Sequence, residues 1–152
     1  MKRVAVLRGG PSAEYPVSME TGKAVLAALK GLEYSHKDIV ISKQGEWLDE
    51  GKVKRPEIAL EGIDVVFIAL HGEYGEDGQV QRIMERLNIP FTGSRSMSSA
   101  IAFNKELTKQ TLRDHGILMP RHRRFTRDEL GTLHDEIDNI YNDVGTELFV
   151  KP

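Results

Sequence analysis

Residues 63–78 read IDVVFIALHGEYGEDG, and this stretch decides the class of fold that we predict for the chain. Its first eight residues are almost continuously apolar, which is typical of a parallel strand buried on both faces. The eight residues that follow contain three glycines, three acidic side chains and one histidine. A buried strand followed by a polar, glycine-rich loop is the setting in which open α/β sheets bind their ligands.

Elements of alternating type precede this stretch. An apolar strand is predicted over residues 3–7, and a helix is predicted from about Val17, with Pro16 delaying its start. A β-branched strand over residues 38–42 and a turn or hairpin over residues 44–54 follow. The alternation predicts an α/β fold, in which a parallel sheet carries helices on both faces.

The same alternation continues after residue 78. The predicted elements are a helix capped by Asp77, a short strand over 89–93, a helical region opened by Ser98 or Ser99, a helix over 104–115 that ends at Gly116, a helix over 128–142 and a final strand over 147–151.

The last helix and strand follow a linker near residue 120. We therefore expect a first domain over residues 1–118 and the beginning of a second over residues 119–152, cut off near its start. The alternative is that the final strand closes the sheet of the first domain.

Composition excludes several classes of function for these 152 residues. The absence of cysteine excludes disulfides, thiolate zinc sites, iron–sulfur clusters and cysteine nucleophiles. With 21 basic and 23 acidic residues, the net charge of −2 argues against a nucleic-acid partner. No apolar run approaches the roughly 20 residues that a membrane span needs. A soluble cytoplasmic protein is the expected class.

Two glycine-containing loops carry the candidate chemistry. The first, Gly9-Gly10-Pro11-Ser12, has neither the dinucleotide nor the P-loop spacing and by itself favours a tight turn, with Glu14 as a helix cap. The second, HGEYGEDG, lets a ligand approach its backbone, and His71 offers a donor or a charge to a carboxylate. Both loops follow strands that we expect to be neighbours, so both should face one crevice.

Taken together, the motifs resemble those of the D-alanine–D-alanine ligases. The stretch from Gly9 to Glu14, with Val17-Ser18, resembles the first signature of this family. HGEYGEDG with Gln81, followed by IPFTGS at 89–94, resembles the second. Ser99-Ala100, Lys105 and Thr108-Lys109 resemble the approach to the nucleotide-binding region, and FVKP at 149–152 resembles the first strand of the ATP-grasp domain.

The resemblance implies a fold and a reaction. The fold would be a pre-ATP-grasp, Rossmann-like parallel sheet with flanking helices, followed by the truncated start of a central ATP-grasp domain. In the reaction, ATP phosphorylates the carboxylate of one D-alanine, and the amine of a second attacks the acyl phosphate. The product serves the synthesis of peptidoglycan precursors in the bacterial cytoplasm.

The resemblance also implies roles for residues near the first substrate. Glu14 would contact the ammonium of the first D-alanine and is the residue we expect to be catalytic. Val17 would line the same pocket, Ser18 belongs to the same signature, and His71 would lie near the substrate carboxylate. Glu76 would not contact the substrate itself but would support the residues that do.

The nucleotide roles fall on two lysines. Without the resemblance, Lys105, Lys109 and Lys151 would each be ordinary surface lysines. The family pattern matches Lys105 and Lys151 to the lysines that hold ATP phosphates, where cationic neutralisation favours phosphoryl transfer. The resemblance further implies Mg²⁺ or Mn²⁺, with no metal ligands inside this chain, and a homodimer formed through the N-terminal domain. Neither nucleic acid nor a membrane is an expected partner.

Departures from the family pattern leave alternatives open. Asn104 stands where many members have an acidic residue, and Tyr15-Pro16 is a variant stretch. The motifs that family members carry beyond this point are missing, so we expect an N-terminal fragment that is inactive alone. A ligase that joins D-alanine to D-lactate or D-serine is one alternative, and a non-catalytic small-ligand-binding or dimerisation module is another.

Overall fold

The computed structural model describes residues 1–151, and the side chains of all of these except Asp114, Leu130, Thr132, Leu133 and Asp135. The chain forms two compact units, Met1–Lys105 and Glu106–Pro152. The division between domains expected after residue 118 stays a prediction about the protein as a whole.

A five-stranded sheet forms the centre of the first unit. Its strands are β1 (Arg3–Gly9), β2 (Ser35–Ile41), β3 (Trp47–Asp49), β4 (Lys52–Lys54) and β5 (Val65–Ile68). In the order β4-β3-β2-β1-β5, the last three strands are parallel, whereas β3 and β4 pair antiparallel. The predicted α/β class is confirmed, and the predicted hairpin forms the antiparallel edge of the sheet.

The apolar strands form the core because they lie at the middle of the sheet. Leu7 on β1 lies opposite Ile39 of β2 and Ile68 of β5. Four consecutive residues of β1, from Val4 to Leu7, are buried, so the strand is covered on both faces. Burial on both faces explains why β1 lacks the alternation of polar and apolar residues that a half-exposed strand shows.

Four helices of the first unit surround the sheet: α1 (Tyr15–Leu29), α2 (Pro56–Ala59), α3 (Gln79–Arg86) and α4 (Ser96–Phe103). The prediction that Pro16 delays α1 was wrong, because a proline in the first turn loses no helical hydrogen bond. Gly78, with φ of +93°, is the cap residue of α3, and Asp77 accepts the Gln79 N–H at 3.0 Å. Helix α4 begins two residues before Ser98, and α2 was not predicted.

The strand predicted over residues 89–93 is only a single parallel bridge between Val66 and Phe91. The Val66 N–H donates to Pro90 O at 2.9 Å, and the Thr92 N–H donates to Val66 O at 3.0 Å. Proline has no N–H to donate to a ladder, which limits how far the pairing extends.

The second unit is helical. It contains most of α5 (Lys105–Leu112), a 3₁₀ turn (Arg113–His115), a longer 3₁₀ segment (Glu129–Glu136) and α6 (Ile137–Val144). Gly116, with φ of +67°, ends the predicted helix as expected. The strand predicted over 147–151 is not formed, since no strand lies beside it within the described part of the chain. Pro152 lies outside the described residues.

Candidate functional site

The two candidate loops meet where β1 and β5 end. The strands are adjacent and parallel, so the loop after Gly9 and the loop after Ile68 leave the sheet side by side. The Ser12 hydroxyl donates to the backbone carbonyl of His71 at 2.7 Å. A Cβ on Gly72 would lie 2.9 Å from Glu14 Oε2 and 3.1 Å from Ser12 Cβ, so the two loops approach each other closely here. The two loops are therefore neighbours as predicted, whereas a ligand crevice shared by both stays a prediction.

Close backbone approach explains the glycine that begins the first loop. Gly9 has φ of +92°, and a Cβ there would clash with the carbonyl oxygen of Ile41. The Gly10 N–H donates to that same oxygen at 2.8 Å, which binds the loop to the end of β2. These contacts fix the course of the loop that leads from β1 into α1.

Ser18 fastens α1 to both strand ends. Its side chain is fully buried, and its hydroxyl accepts the Gly9 N–H and donates to Ala69 O, each at 2.8 Å. The single hydroxyl hydrogen is therefore used within the protein. This geometry favours a positioning role for Ser18, and its contact with substrate stays a prediction.

Glu14 and Val17 lie exposed where α1 begins. Glu14 is the cap residue, yet within the described residues its carboxylate makes no capping bond to α1. The interpretation of Glu14 as a helix cap is therefore wrong for its side chain. Val17 is 56% exposed in the first turn of the same helix. Both side chains are accessible beside the crevice, as a ligand contact requires.

A left-handed residue shapes the second loop. Tyr74 has φ of +71°, which is uncommon for a bulky side chain. Its N–H donates to Asp77 Oδ2 at 2.9 Å, and its hydroxyl accepts the indole N–H of Trp47 at 2.8 Å. Gln81 donates to Gly75 O at 2.6 Å. These bonds hold the loop against α3 and the hairpin.

Electrostatics follow from the same contacts. Burial raises the pKa of the Tyr74 hydroxyl, despite the opposing hydrogen bond from Trp47. Burial alone would raise the pKa of Asp77 as well. The backbone N–H groups of Tyr74 and Gln79 outweigh that effect and lower the Asp77 pKa overall. Asp77 is therefore an ionised structural acceptor in the loop.

The second loop brings His71 and Glu76 together. His71 Nε2 lies 2.9 Å from Thr21 Oγ1, and its Nδ1 lies 3.8 Å from Glu76 Oε1. The side chains of His71 and Glu76 are 33% and 53% exposed, so both are accessible to solvent. Protonation of the ring would make this an ion pair.

A cavity of about 340 Å³ opens beside this pair. His71, Glu76 and Gln81 line one part of it, and Ser98 and Ser99 of α4 line another. From the sequence, Ser98 and Ser99 were interpreted as a helix start, and Ser99 also as part of the approach to the nucleotide-binding region, because hydroxyl side chains after a turn indicate a helix start as readily as a pocket wall. The contact of Thr21 with the His71 ring was not predicted.

Helix α4 is held in place by α3. The Ser96 N–H donates to Glu85 Oε1 at 3.0 Å, and the Ser96 hydroxyl donates to Oε2 at 2.5 Å. The Glu85 carboxylate thereby satisfies an N–H group at the start of α4. The wall of the cavity thus depends on a contact between two consecutive helices.

Similar proteins point to one family. Residues 49–94 match the family model described as "D-ala D-ala ligase N-terminus". The D-alanine–D-alanine ligase of Cupriavidus taiwanensis is 39% identical over 150 residues, 99% of this chain and 41% of the relative. That of Moorella thermoacetica is 41% identical over 150 residues, 98% of this chain and 46% of the relative.

Over almost its whole length, the chain is similar to less than half of these D-alanine–D-alanine ligases, and residues 49–94 match the N-terminal part of the family. It spans less than half the length of the two curated relatives just named.

Solved ligase structures have the same fold. The D-alanine–D-alanine ligase of Coxiella burnetii is 28% identical with a TM-score of 0.68, covering 90% of this chain and 50% of its own. The VanG D-Ala:D-Ser ligase of Enterococcus faecalis is 26% identical with a TM-score of 0.69, covering 91% and 49%.

The two lysines that the ligase pattern matches lie in different units. Lys105 is exposed at the first residue of α5, where the first unit ends. Lys151 is exposed in the segment after α6, in the second unit. Their convergence on one nucleotide stays a prediction. Among the side chains that the structure describes, no group of three or more His, Cys, Asp or Glu is arranged to hold a metal ion.

Proposed function

We propose that this chain is the N-terminal portion of an ATP-dependent D-alanine–D-alanine ligase. The γ-phosphoryl group of ATP passes to a carboxylate oxygen of the first D-alanine, giving an acyl phosphate and ADP. The amine of the second D-alanine attacks the carbonyl carbon and displaces inorganic phosphate. The observation that carries this proposal is the meeting of the Glu14 and His71 loops at the ends of β1 and β5.

The first D-alanine fits the chemistry of this crevice. The Glu14 carboxylate pairs with the substrate ammonium, and the His71 imidazole lies near the substrate carboxylate. Val17 supplies an apolar wall for the methyl side chain. We assign Ser18 a positioning role, because its buried hydroxyl joins Gly9 to Ala69. Glu76 Oε1 lies 3.8 Å from His71 Nδ1, and we assign Glu76 a supporting role beside this ring.

ATP is the co-substrate in this proposal, and Lys105 and Lys151 are the residues that hold its phosphates. An ammonium is a compact point charge that suits phosphate oxygens, and both lysine side chains are exposed. The described residues do not fit a magnesium site, since none of them form a cluster of three metal-ligating side chains. On the likeness to the ligase family, we assign the ligands of the required Mg²⁺ or Mn²⁺ to residues outside this chain.

We place the ligase in the cytoplasm, where it supplies the dipeptide for peptidoglycan precursors, and propose a homodimer joined through the N-terminal portion. No helix among the described residues is long and apolar enough to cross a membrane. Neither a nucleic acid nor a membrane surface is part of this proposal.

A ligase that adds D-serine is the second candidate. The D-Ala:D-Ser ligase of Enterococcus faecalis supports this candidate. Its TM-score and coverage are nearly the same as those of the D-alanine–D-alanine ligase of Coxiella burnetii.

The experiment is a product analysis of the complete ligase that carries this chain, expressed from the reading frame that extends beyond codon 152. With ATP, Mg²⁺ and D-alanine, we expect D-alanyl-D-alanine and one phosphate per dipeptide. A mixed dipeptide in an equal mixture of D-alanine and D-serine would favour the second candidate. A reading frame that stops after codon 152, or no phosphate release with either amino acid, would contradict both.

A further inference from the structure

Thr21 has no assigned role, yet its side chain contacts the ring of His71. It lies on α1 one turn beyond Val17, on the helix that also carries Ser18. Its Oγ1 lies 3.0 Å from the backbone oxygen of Val17 and 2.9 Å from Nε2 of His71. The hydroxyl therefore joins the helix to the imidazole ring across 50 residues of sequence.

Counting hydrogens decides the direction of these two bonds. A threonine hydroxyl has one hydrogen and two lone pairs, and here the hydrogen is donated to Val17 O. The oxygen can then only accept from His71, so the ring hydrogen resides on Nε2. The reverse arrangement would lose the bond to Val17 O and would gain no partner within the protein at Nδ1, because 3.8 Å to Glu76 is too long for a hydrogen bond.

We propose that Thr21 is a positioning residue that fixes His71 as the Nε2–H tautomer and directs its Nδ1 towards Glu76 at the cavity. His71 and Glu76 both line this cavity. The ring nitrogen that faces Glu76 and the cavity is then Nδ1, which lies 3.8 Å from Glu76 Oε1. The role in substrate binding rests on the proposed function, whereas the tautomer is a property of this chain alone.

The first experiment reads the tautomer directly. The 152-residue chain is labelled with ¹⁵N at its five histidines, and the ring nitrogens are observed at about pH 8.5, where an unperturbed imidazole is neutral. Comparison with His71→Gln identifies the signals of His71. We expect a protonated Nε2 and a bare Nδ1. A protonated Nδ1 in the wild-type chain would overturn the proposal, whatever the variants do.

Two variants test whether Thr21 is the cause. Thr21→Ser keeps the hydroxyl, so we expect the wild-type ring signals. Thr21→Val keeps the shape and removes the acceptor, so the Nε2 hydrogen should exchange with water roughly five- to tenfold faster, the equivalent of one hydrogen bond. Backbone amide spectra report whether each variant keeps its fold. An unchanged exchange rate in a folded Thr21→Val chain would contradict the proposal.

The second experiment measures the Michaelis constants of the complete ligase. We expect Thr21→Val to raise KM for the first D-alanine roughly three- to tenfold, while KM for ATP stays within about twofold of the wild-type value. Thr21→Ser keeps the hydroxyl, so both of its KM values should equal those of the wild type. If Glu14→Gln raises KM for D-alanine and Thr21→Val does not, the positioning role is wrong and the proposed function stands. If neither variant changes KM for D-alanine while His71 is the Nε2–H tautomer, the proposed function is wrong and the assignment of the tautomer is retained.

Discussion

At the scale of single residues, an accessible carboxylate and an oriented imidazole lie on two neighbouring loops, each of which follows the end of a strand. Glu14 makes no cap to its own helix within the described residues, so its carboxylate is available to a ligand. His71 is held at its backbone by Ser12 and at its ring by Thr21. A carboxylate and an imidazole suit a zwitterionic ligand, because Glu14 would attract its ammonium and His71 would bind its carboxylate.

Glu14 can be tested by removing its charge. In the complete ligase, Glu14→Gln should raise KM for the first D-alanine at least about tenfold, because a charge-assisted hydrogen bond contributes roughly 1.5–3 kcal/mol. The measurement is steady-state kinetics with D-alanine varied. Glu20→Gln is the matched control, since Glu20 lies exposed on the same helix and pairs only loosely with Lys23. Equal KM values for the two variants would show that Glu14 does not bind substrate.

The lysines offer a second test on the nucleotide. Lys151→Ala and Lys105→Ala should each lower ATP affinity or turnover roughly tenfold or more, with D-alanine binding nearly intact, since an ammonium that neutralises phosphate stabilises the charge of the transition state. Lys109→Ala, on the same helix as Lys105, is the surface control and should change neither. Small and equal effects of all three substitutions would mean that other residues hold the phosphates.

At the scale of elements, a buried carboxylate joins the hairpin to the rest of the sheet. Asp49 on β3 is 2% exposed, and its Oδ2 lies 2.7 Å from Lys37 Nζ and 2.6 Å from Lys54 Nζ. Lys37 also donates to Ala59 O, at the last residue of α2. The contact therefore ties β2, β3, β4 and α2 together. Burial raises the pKa of Asp49, but the two lysines outweigh burial and lower it overall.

This network predicts a pH dependence of stability. Since the folded pKa of Asp49 lies below the ordinary value of about 3.9, its contribution is present above that pH and is lost as pH falls through the folded value. Asp49→Asn should lower the free energy of unfolding by about 3 kcal/mol at pH 7, because two lysines lose their buried partner. The gap between variant and wild type should shrink below about pH 4.

Denaturant titration of the chain, followed by the fluorescence of its single tryptophan, Trp47 on β3, measures both effects. Glu57→Gln is the control, because the Glu57–Arg86 pair is exposed and should contribute no more than about 1 kcal/mol. A loss for Asp49→Asn as small as that of the control, or one that stays constant down to pH 2, would refute the role of the network.

At the scale of the whole molecule, the chain spans less than half of its ligase relatives, and its two predicted phosphate ligands lie in separate units. We predict that the purified 152-residue chain forms no dipeptide, because the metal ligands that we propose lie outside it. The assay is phosphate release in the presence of ATP, Mg²⁺ and D-alanine, compared with a blank that lacks D-alanine. Release above that blank would show that the chain is catalytically sufficient.

Local patterns in the sequence determined the elements that carry the site. The apolar run over residues 63–70 indicated a buried parallel strand, and the glycines and acids after it indicated a loop that leads into a helix. The hairpin over 44–54 and the end of a helix at Gly116 were predicted as well. These features depend on residues within a few positions of one another, which is why a single sequence contains them.

Only the tertiary structure decided which side chains meet. Thr21 lies 50 residues from His71, and Ser18 lies 51 residues from Ala69, so no local spacing could indicate either contact. The single bridge at Phe91 and the missing strand over 147–151 have the same origin, because a strand forms only where another strand supplies hydrogen-bonding partners. Sequence periodicity reports which face of an element is apolar, whereas pairing depends on what the folded chain brings alongside it.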